Sequence, residues 1–290
     1  MLKKFATFFK LISSVRGRSL TDEILYLTYL TCESVKSVLS LPFPPGSFVF
    51  KDMFLKIKER ENLVFYCPAR TDITNHVMPH SEKKTWEVIK SVVRKGDIFI
   101  DVGAHVGAYT LPVAKIIGPR GKVIALEPSP FTFQILILKR NVQLNRLNNV
   151  YLINKGAYSI RTHMNFYYDL RMTGHSSLDQ KWFLKQGLPK RFCKTLKKEI
   201  EVAPLDEIIE ELGLFNETIR LLKIDVEGSE VEVLKGATNI LKNTDYIIFE
   251  ASKRTLNSCL KLLPKYFKVS PIERIGRLTY NFIARRKEHS

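Results

Sequence analysis

Residues 96–128 read GDIFIDVGAHVGAYTLPVAKIIGPRGKVIALEP, and this stretch decides the fold. An apolar run at residues 98–102 carries an acid at Asp101, and a turn follows with small residues at Gly103, Ala104 and Gly107. A helical pattern then leads to a second apolar run at residues 122–126, which ends on Glu127. A strand, a glycine turn, a helix and a second strand ending on an acid are typical of a unit that holds a nucleoside by the turn backbone and by its ribose hydroxyls.

Strand and helix patterns alternate on both sides of this stretch, from residue 81 to residue 250. Further strands are predicted at residues 150–153, 221–226 and 246–249. Amphipathic helices are predicted at residues 85–93, 131–145, 201–212 and 229–241. The alternation indicates an α/β fold in which helices cover both faces of a parallel sheet. A closing antiparallel pair at residues 267–269 and 279–284 makes this Rossmann-like sheet look like the seven-stranded sheet of class I methyltransferases, and not the six-stranded sheet of a dehydrogenase.

The flanking segments suggest how the chain is divided. Residues 1–80 lack the βα repeat and are predicted to form an N-terminal cap of helix and short strands, on the substrate side of a main domain at residues 81–290. Within that domain, residues 163–198 are long, basic and aromatic, which is typical of a lid or a surface loop.

The net charge of +17 is concentrated in three places. Residues 1–20 and 181–198 contain five and seven basic residues and no acid, and residues 253–290 contain ten basic residues against two acids. Such a field attracts anionic partners: nucleic acid, an anionic membrane surface, or a phosphorylated or sugar-acid substrate. The alternative is a solvated lysine-rich surface that only keeps the protein soluble.

Cysteine spacing and hydropathy bear on the compartment. Four scattered cysteines form neither a zinc motif nor a disulfide framework, so a reducing, cytoplasmic environment is expected. No apolar run approaches 18 residues, so no transmembrane helix is expected. The basic N-terminus could form an amphipathic helix on a membrane surface, or a helix packed on the domain.

The glycine turn favours one kind of nucleoside. It lacks the middle glycine of G-x-G-x-x-G, which brings a diphosphate against a helix N-terminus, and Asp101 would repel that group. Glu127 follows Gly107 by 20 residues, the spacing of an acid that binds ribose hydroxyls. Together these features favour S-adenosylmethionine over a dinucleotide, although a glycine turn after a strand can also be purely structural.

A second acidic motif, LKIDVEGSEVEVLKGA, occupies residues 222–237. Glu230 begins a helix, where a carboxylate favours the helix dipole. Asp225 ends a buried apolar run, where an unpaired charge is costly, so we expect its carboxylate to face the open end of the sheet.

Three segments in this order closely resemble the FkbM family of S-adenosylmethionine-dependent methyltransferases (EC 2.1.1): DVGAHVGAYT, ALEPSPFTFQILILKRNVQLN and LKIDVEGSEVEVLKGA. The resemblance runs from about residue 81 to residue 286 and includes TGHSSL at residues 173–178. His105 departs from the family, which usually has Asn there, and we expect it to keep the turn while changing nearby hydrogen bonds. Residues 1–80 are not covered, so they are expected to bear on substrate choice.

The resemblance implies roles for individual residues. The methionine and ribose side of the cofactor would be lined by Asp101, Gly103 and Gly107. Glu127 would take the ribose hydroxyls, Gly156 would lie near the adenine, and Asp225 would lie close to the transferred methyl.

The family is associated with O-methylation of sugars, polyketides and related small molecules. A hydroxyl is a poor nucleophile, so a base or a metal should help to remove its proton. The candidates are Asp225, Glu227 and Glu250, as bases or as ligands of a hard cation such as Mg²⁺, and the need for a divalent metal stays open. Glu227 and Glu250 could equally serve as hydrogen-bonding groups that hold loops in place.

Two other functions remain. An RNA methyltransferase would explain the charge and the basic insertion, but the chain has no N-P-P-Y-type motif, no catalytic cysteine pair and no recognisable RNA-binding module. A membrane-surface or scaffold protein would use a degenerate fold and bind no cofactor. The sequence therefore favours a methyltransferase that acts on a hydroxyl of a sugar, a glycan or another small metabolite.

Overall fold

The computed structural model describes residues 11–39, 47–135, 137–185, 195–275 and 279–287. The basic residues 1–10 and residues 186–194 of the lid-like insertion lie outside the described residues. The strands are β1 (Val15–Gly17), β2 (Met53–Ile57), β3 (Leu63–Cys67), β4 (Ile98–Val102), β5 (Lys122–Leu126), β6 (Val150–Ile153), β7 (Gly156–Ala157), β8 (Thr162–Tyr168), β9 (Leu196–Ala203), β10 (Ile219–Ile224), β11 (Thr244–Ser252), β12 (Phe267–Arg274) and β13 (Thr279–Arg286). The helices are α1 (Leu20–Leu39), α2 (Ile73–Val77), α3 (Lys83–Val92), α4 (Thr110–Ile117), α5 (Leu138–Leu144), α6 (Gln180–Lys185), α7 (Leu205–Glu211), α8 (Glu230–Lys235) and α9 (Leu256–Leu262).

The main sheet has seven strands in the order β12-β13-β11-β10-β4-β5-β6. The five strands from β11 to β6 are parallel, and β13 is antiparallel to both of its neighbours. The predicted seven-stranded α/β sheet is therefore confirmed. Its antiparallel strand separates it from the all-parallel sheet of a dehydrogenase.

Strand β4 lies in the middle of this sheet, and all five of its residues are buried. Ile98, Ile100 and Val102 belong to one apolar cluster, whereas Phe99 belongs to another. Because successive side chains of a strand point to opposite faces, the two clusters are the cores on the two sides of the sheet. Only a sheet covered on both faces accepts a continuous apolar run of this kind.

A smaller sheet of β7, β9 and β8 corrects the interpretation of residues 163–212. The predicted helix at residues 201–212 is wrong in its first part, because β9 extends to Ala203 and α7 begins only at Leu205. The segment interpreted as an irregular insertion begins and ends in the antiparallel pair of β8 and β9. Pairing with a distant strand decided this outcome, and the alternation of β9 is hidden by its lysines and glutamates.

Within residues 11–39 and 47–80, here called the N-terminal unit, α1 packs on an antiparallel sheet of β1, β2 and β3. Asn141 of α5 and Asn145, the residue after this helix, join this unit to the rest of the structure. Asn141 Oδ1 accepts a hydrogen bond from Tyr66 N, and Asn145 bonds both the N–H and the carbonyl of Val64. These side chains satisfy an edge that would otherwise be open to another strand. None of the described helices has the length and hydropathy needed to cross a bilayer.

Candidate active site

A cleft opens at the carboxyl ends of β4, β5, β10 and β11, with about 990 Å³ of empty space that is partly open to solvent. Ligands of open α/β sheets bind at this edge. Residues 173–176 and two N-terminal residues, His76 and Glu82, complete its walls.

The glycine turn after β4 lies at the floor of the cleft. The N–H groups of Gly103 and Ala104 both donate to the carbonyl of Leu126, which ties the turn to β5. Gly103 has a φ of 83°, and a Cβ there would lie 1.9 Å from the carbonyl oxygen of Asp225. Gly103 is therefore required twice, by its left-handed backbone and by the close approach of the segment that follows β10.

Two predicted cofactor residues lie behind the cleft and do not line it. A Cβ on Gly107 would lie 2.1 Å from Leu111 Cδ1, so Gly107 permits helix packing. Asp101 is 1% exposed, and its Oδ2 accepts a hydrogen bond of 2.6 Å from Thr110. The cofactor roles of both residues stay predictions, and any contribution of Asp101 would be made through its neighbours.

Glu127 is buried at the end of β5 and lines the cleft. One carboxylate oxygen accepts from Ser129 N and Thr132 Oγ1, and among the described residues the other accepts from His105 N alone, at 2.7 Å. Each carboxylate oxygen has two acceptor sites, so the second oxygen keeps one for a ligand hydroxyl. Burial raises the pKa of Glu127 to about 7, against these three hydrogen bonds.

His105 keeps the turn, with a φ of 52° in the left-handed region where Asn and His are enriched. Its Nε2 lies 2.7 Å from Thr173 Oγ1. Burial lowers the pKa of His105 to about 3, and the nearby His76 adds to this effect. The imidazole is therefore neutral, and it joins the glycine turn to the segment that begins at Thr173.

A buried ion cluster lies under the turn. The Nζ of Lys223 is 2.8 Å from Asp225 Oδ2 and 3.9 Å from Asp101 Oδ1, and Lys223 is only 3% exposed. Burial alone would lower the pKa of Lys223, but the two aspartates and Glu82 raise it above its ordinary value. Lys223 is thus a fixed cation that holds Asp225 at the cleft wall.

Five acids line the cleft: Glu82, Glu127, Asp225, Glu227 and Glu250. Single carboxylate oxygens of Asp225, Glu227 and Glu250 lie within 4.8 Å of one another, a spacing that could hold a hard divalent cation. Burial and the charge of Asp225 raise the pKa of Glu250 to about 9, and burial and Glu250 raise the pKa of Glu227 well above its usual value. Without a cation, Glu250 keeps its proton at neutral pH, and the pKa of Glu227 is shifted in the same direction.

The insertion packs on the acidic turn. Glu227 and Gly228 have φ of 53° and 105°, and a Cβ on Gly228 would lie 2.9 Å from the indole of Trp182. The carbonyl of Glu227 accepts a hydrogen bond of 2.7 Å from Ser177 Oγ. Residues 177–182 thus hold the loop that carries Glu227, which indicates that the insertion shapes the cleft.

The structure brings six of the eight predicted site residues to the cleft: Gly103, Glu127, Gly156, Asp225, Glu227 and Glu250. Sequence reasoning did not single out Asp72, His76, Glu82, Thr173 or Lys223 as residues of the site. Lys223 stands in the acidic motif itself and Thr173 opens TGHSSL, so both could have been found there. The others come from outside the motifs, and no local pattern marks them.

Residues 101–265 match the family described as Methyltransferase FkbM domain. Over 157 residues the chain is 32% identical to Methyltransferase sdnD of Sordaria araneosa, covering 47% of this chain and 59% of that protein. Over 169 residues it is 25% identical to the Hexuronic acid methyltransferase AglP of Haloferax volcanii, covering 58% and 62%. The chain thus spans about three fifths of the length of these relatives.

A solved structure of a methyltransferase FkbM from Methylobacillus flagellatus aligns with 97% of this chain over 59% of its own length, with a TM-score of 0.45 and 14% sequence identity.

Proposed function

Because the chain belongs to the FkbM methyltransferase family, we propose that it transfers a methyl group from S-adenosylmethionine to a hydroxyl of a sugar, a glycan or another small metabolite. The observation that carries the proposal is the cleft itself, in which Gly103, Glu127 and Asp225 meet at the carboxyl ends of three adjacent parallel strands.

The residues present fit this cofactor. Gly103 brings the backbone to the cleft floor without a side chain, and Glu127 keeps an acceptor site for a ribose hydroxyl. Burial, and then the neighbouring negative charges, raise the pKa values of Glu227 and Glu250, and a bound sulfonium would relieve the crowding of negative charge. Gly103, Glu127 and Gly156 would hold the cofactor, which supplies an electrophilic methyl carbon when bound.

The chain's own residues then have two tasks. They orient the acceptor oxygen, for which the cleft offers several hydrogen-bond acceptors, and they remove its proton. Asp225 is suited to orientation, because Lys223 fixes one of its oxygens at 2.8 Å and its side chain is 23% exposed.

The acceptor class is inferred from chemistry. Acids that accept hydrogen bonds suit an acceptor rich in hydroxyls, and one relative is named for a hexuronic acid. The net charge of +17 would attract a substrate that also carries acid groups. The described cysteines, Cys32, Cys67 and Cys259, are unpaired, which suits our proposal of a cytoplasmic enzyme.

Two measurements test the function. Calorimetry with S-adenosylhomocysteine should show binding, and labelled S-adenosylmethionine should transfer its methyl group to the glycan or small-metabolite fraction of a cell extract. No binding heat and no thermal stabilisation would contradict the enzyme. Preferential labelling of bulk tRNA, with steep salt dependence, would favour the RNA methyltransferase instead.

Glu127→Ala is expected to weaken S-adenosylhomocysteine binding about 10- to 100-fold, because hydrogen bonds to a charged group contribute roughly 1.5–3 kcal/mol each. The pKa of about 7 adds a pH signature. Wild-type affinity should rise from pH 6 to pH 8 as Glu127 ionises, and the variant should lose that rise. Calorimetry at several pH values measures both effects. The exposed Glu217→Ala is the control, and wild-type affinity in the Glu127 variant would refute the ribose assignment.

Asp225→Asn is expected to reduce turnover about 10- to 100-fold and to change S-adenosylhomocysteine affinity less, because an amide accepts a hydrogen bond more weakly than a carboxylate. Asn can still accept from Lys223, so the fold should persist, which thermal melting checks. Asp245→Asn is the matched control, since Asp245 pairs with Arg220 at the opposite end of the sheet. Full turnover in the Asp225 variant would remove Asp225 from the reaction.

A further inference from the structure

A carboxylate and an imidazole from the N-terminal unit form a pair at the cleft wall. Asp72 immediately precedes α2, and its Oδ2 lies 3.0 Å from Nε2 of His76 within that helix. His76 lines the same cleft as Glu127 and Asp225. Both members of the pair lie outside residues 101–265, the part that matches the family.

Asp72 is held on all sides. It is 3% exposed, and its Oδ1 accepts from both the N–H and the hydroxyl of Thr173, at 2.9 and 2.8 Å. The N–H of Gly174 lies 3.4 Å from its Oδ2. Burial alone would raise the pKa of Asp72, but the charge and hydrogen bond of His76 bring it below its usual range. Asp72 is therefore a fixed, ionised acceptor.

The imidazole of His76 is locked in turn. Gly174 lies against the ring so closely that a Cβ there would be 2.3 Å from His76 Cε1. The ring of His105 stands nearly perpendicular, with 4.9 Å between the centroids. Since Nε2 donates to the carboxylate, a neutral His76 carries its lone pair on Nδ1. No described residue forms a hydrogen bond to Nδ1, and 32% of the side chain is exposed.

The pair could serve only to attach α2 to residues 173–175. The two hydrogen bonds from Thr173 to Asp72, however, already provide this attachment. Attachment alone also does not explain why the ring of His76 is partly exposed at the cleft. Transfer to a hydroxyl also calls for a base, and the ring of His76 lines the same cleft as Glu127 and Asp225. A carboxylate that orients an imidazole is an arrangement suited to general-base work.

We propose that His76, oriented by Asp72, is the base that takes the proton from the acceptor hydroxyl, an inference that rests on the proposed function. The acceptor oxygen uses a lone pair to bond the methyl carbon. The carbon–sulfur bond of the sulfonium donor breaks, and its electron pair stays on sulfur. The hydroxyl proton passes to Nδ1 of His76, the imidazolium is balanced by Asp72, and solvent later removes the proton. Asp72 acts as a positioning residue.

The charges around His76 decide the direction of its pH dependence. The titratable groups that face it are Asp72, Glu82, His105, His175 and Asp225. Burial lowers the pKa of His76, but Asp72 and then the other carboxylates outweigh burial, so the net pKa is raised above 6.5. The basic form exists only above that raised pKa, so turnover should fall as the pH decreases through it. Asp72→Asn removes the main cause of the shift and should move this acid limb to lower pH.

Activity is measured as labelled-methyl transfer into the active glycan or metabolite fraction. His76→Gln should reduce turnover about 10²- to 10⁴-fold, the usual contribution of a general base. Affinity for S-adenosylhomocysteine should change less than about twofold, because the base contacts the acceptor. The control is His163→Gln, an exposed histidine on β8. In His76→Ala, added imidazole should restore part of the turnover, which a purely structural role would not produce.

A second readout does not depend on activity. The ring protons of His76, assigned by their loss in His76→Gln, are titrated by NMR in the wild type and in Asp72→Asn. The wild-type pKa should lie above 6.5 and match the acid limb of turnover, and both should shift down together in the variant. Three results would overturn the base assignment. They are near-normal turnover in a folded His76→Gln variant, no recovery of turnover in His76→Ala with added imidazole, and an acid limb of turnover that does not shift in Asp72→Asn. Absence of transfer by the wild type would instead overturn the proposed function.

Discussion

Lys223→Met is expected to lower the free energy of unfolding by about 3–5 kcal/mol, the usual cost of removing one partner from a buried ion cluster. Lys223 is 3% exposed and lies between Asp101 and Asp225, and Asp101 Oδ1 has no hydrogen-bond partner among the described residues. Without the ammonium, Asp101 must stay charged in an apolar environment or take up a proton. Urea denaturation at pH 7 measures the loss.

The matched control is Lys235→Met, which removes a comparable contact of 2.6 Å to Glu232 at a site where the lysine is 48% exposed. Exposed pairs contribute about 0–1 kcal/mol, so this variant should remain close to wild type. Lowering the pH should reduce the difference in unfolding free energy between the Lys223→Met variant and wild type. Burial already raises the pKa of Asp101, Lys223 opposes that rise, and a protonated Asp101 no longer needs the cation. Equal losses in the two lysine variants would show that the cluster does not stabilise the fold.

Gly103→Ala is expected to lower the free energy of unfolding by about 2–5 kcal/mol. It should also weaken S-adenosylhomocysteine binding at least about tenfold. Two costs add: a left-handed backbone costs Ala roughly 1–2 kcal/mol, and forcing a methyl into a packed site costs roughly 1–3 kcal/mol. The methyl would lie 1.9 Å from the carbonyl oxygen of Asp225, so the backbone itself must move. That movement separates the glycine turn from the acidic turn, and both line the cleft.

Gly96→Ala separates the two costs. Gly96 has a φ of 87°, close to the 83° of Gly103, but a Cβ there would meet nothing within 4 Å. The Gly96→Ala variant should lose only about 1–2 kcal/mol of unfolding free energy and should bind S-adenosylhomocysteine as tightly as wild type does. Urea denaturation and calorimetry on both variants give the differences in unfolding free energy and in affinity. These differences measure the effect of the close approach between residue 103 and the Asp225 carbonyl alone. If both variants bind S-adenosylhomocysteine as wild type does, the contact between the two turns is not needed for the site.

The proposed reaction combines parts from two units. The family-matched segment supplies Glu127 and Asp225 on the strand ends, whereas Asp72 and His76 come from the N-terminal unit. The strand ends would hold the methyl donor, and the N-terminal residues would act on the acceptor. Exchanging the N-terminal unit is therefore a route by which acceptor choice could change while donor binding is preserved.

The sequence by itself determined the sheet. The runs at residues 98–102 and 122–126 became β4 and β5 with the predicted bounds, because a strand buried on both faces must be apolar throughout. The run at residues 150–153 became β6, which lies at the edge of the sheet. The sequence also identified the acids at the strand ends, since the carboxyl edge of a parallel sheet is where such charges meet. The resemblance to a family rested on these same motifs.

Only the tertiary structure decided which side chains serve the cleft. Asp101 looked like a cleft residue but is buried against Lys223, because strand register pairs the two positions on neighbouring strands. The end of strand β9, residues 201–203, was predicted to be part of a helix, since its partner strand β8 is distant in sequence. Asp72 contacts Thr173, and His76 contacts Gly174, across about 100 residues of chain. Local patterns carry periodicity and turn chemistry, whereas contacts between distant segments depend on how the finished layers pack, and that packing built the proposed base.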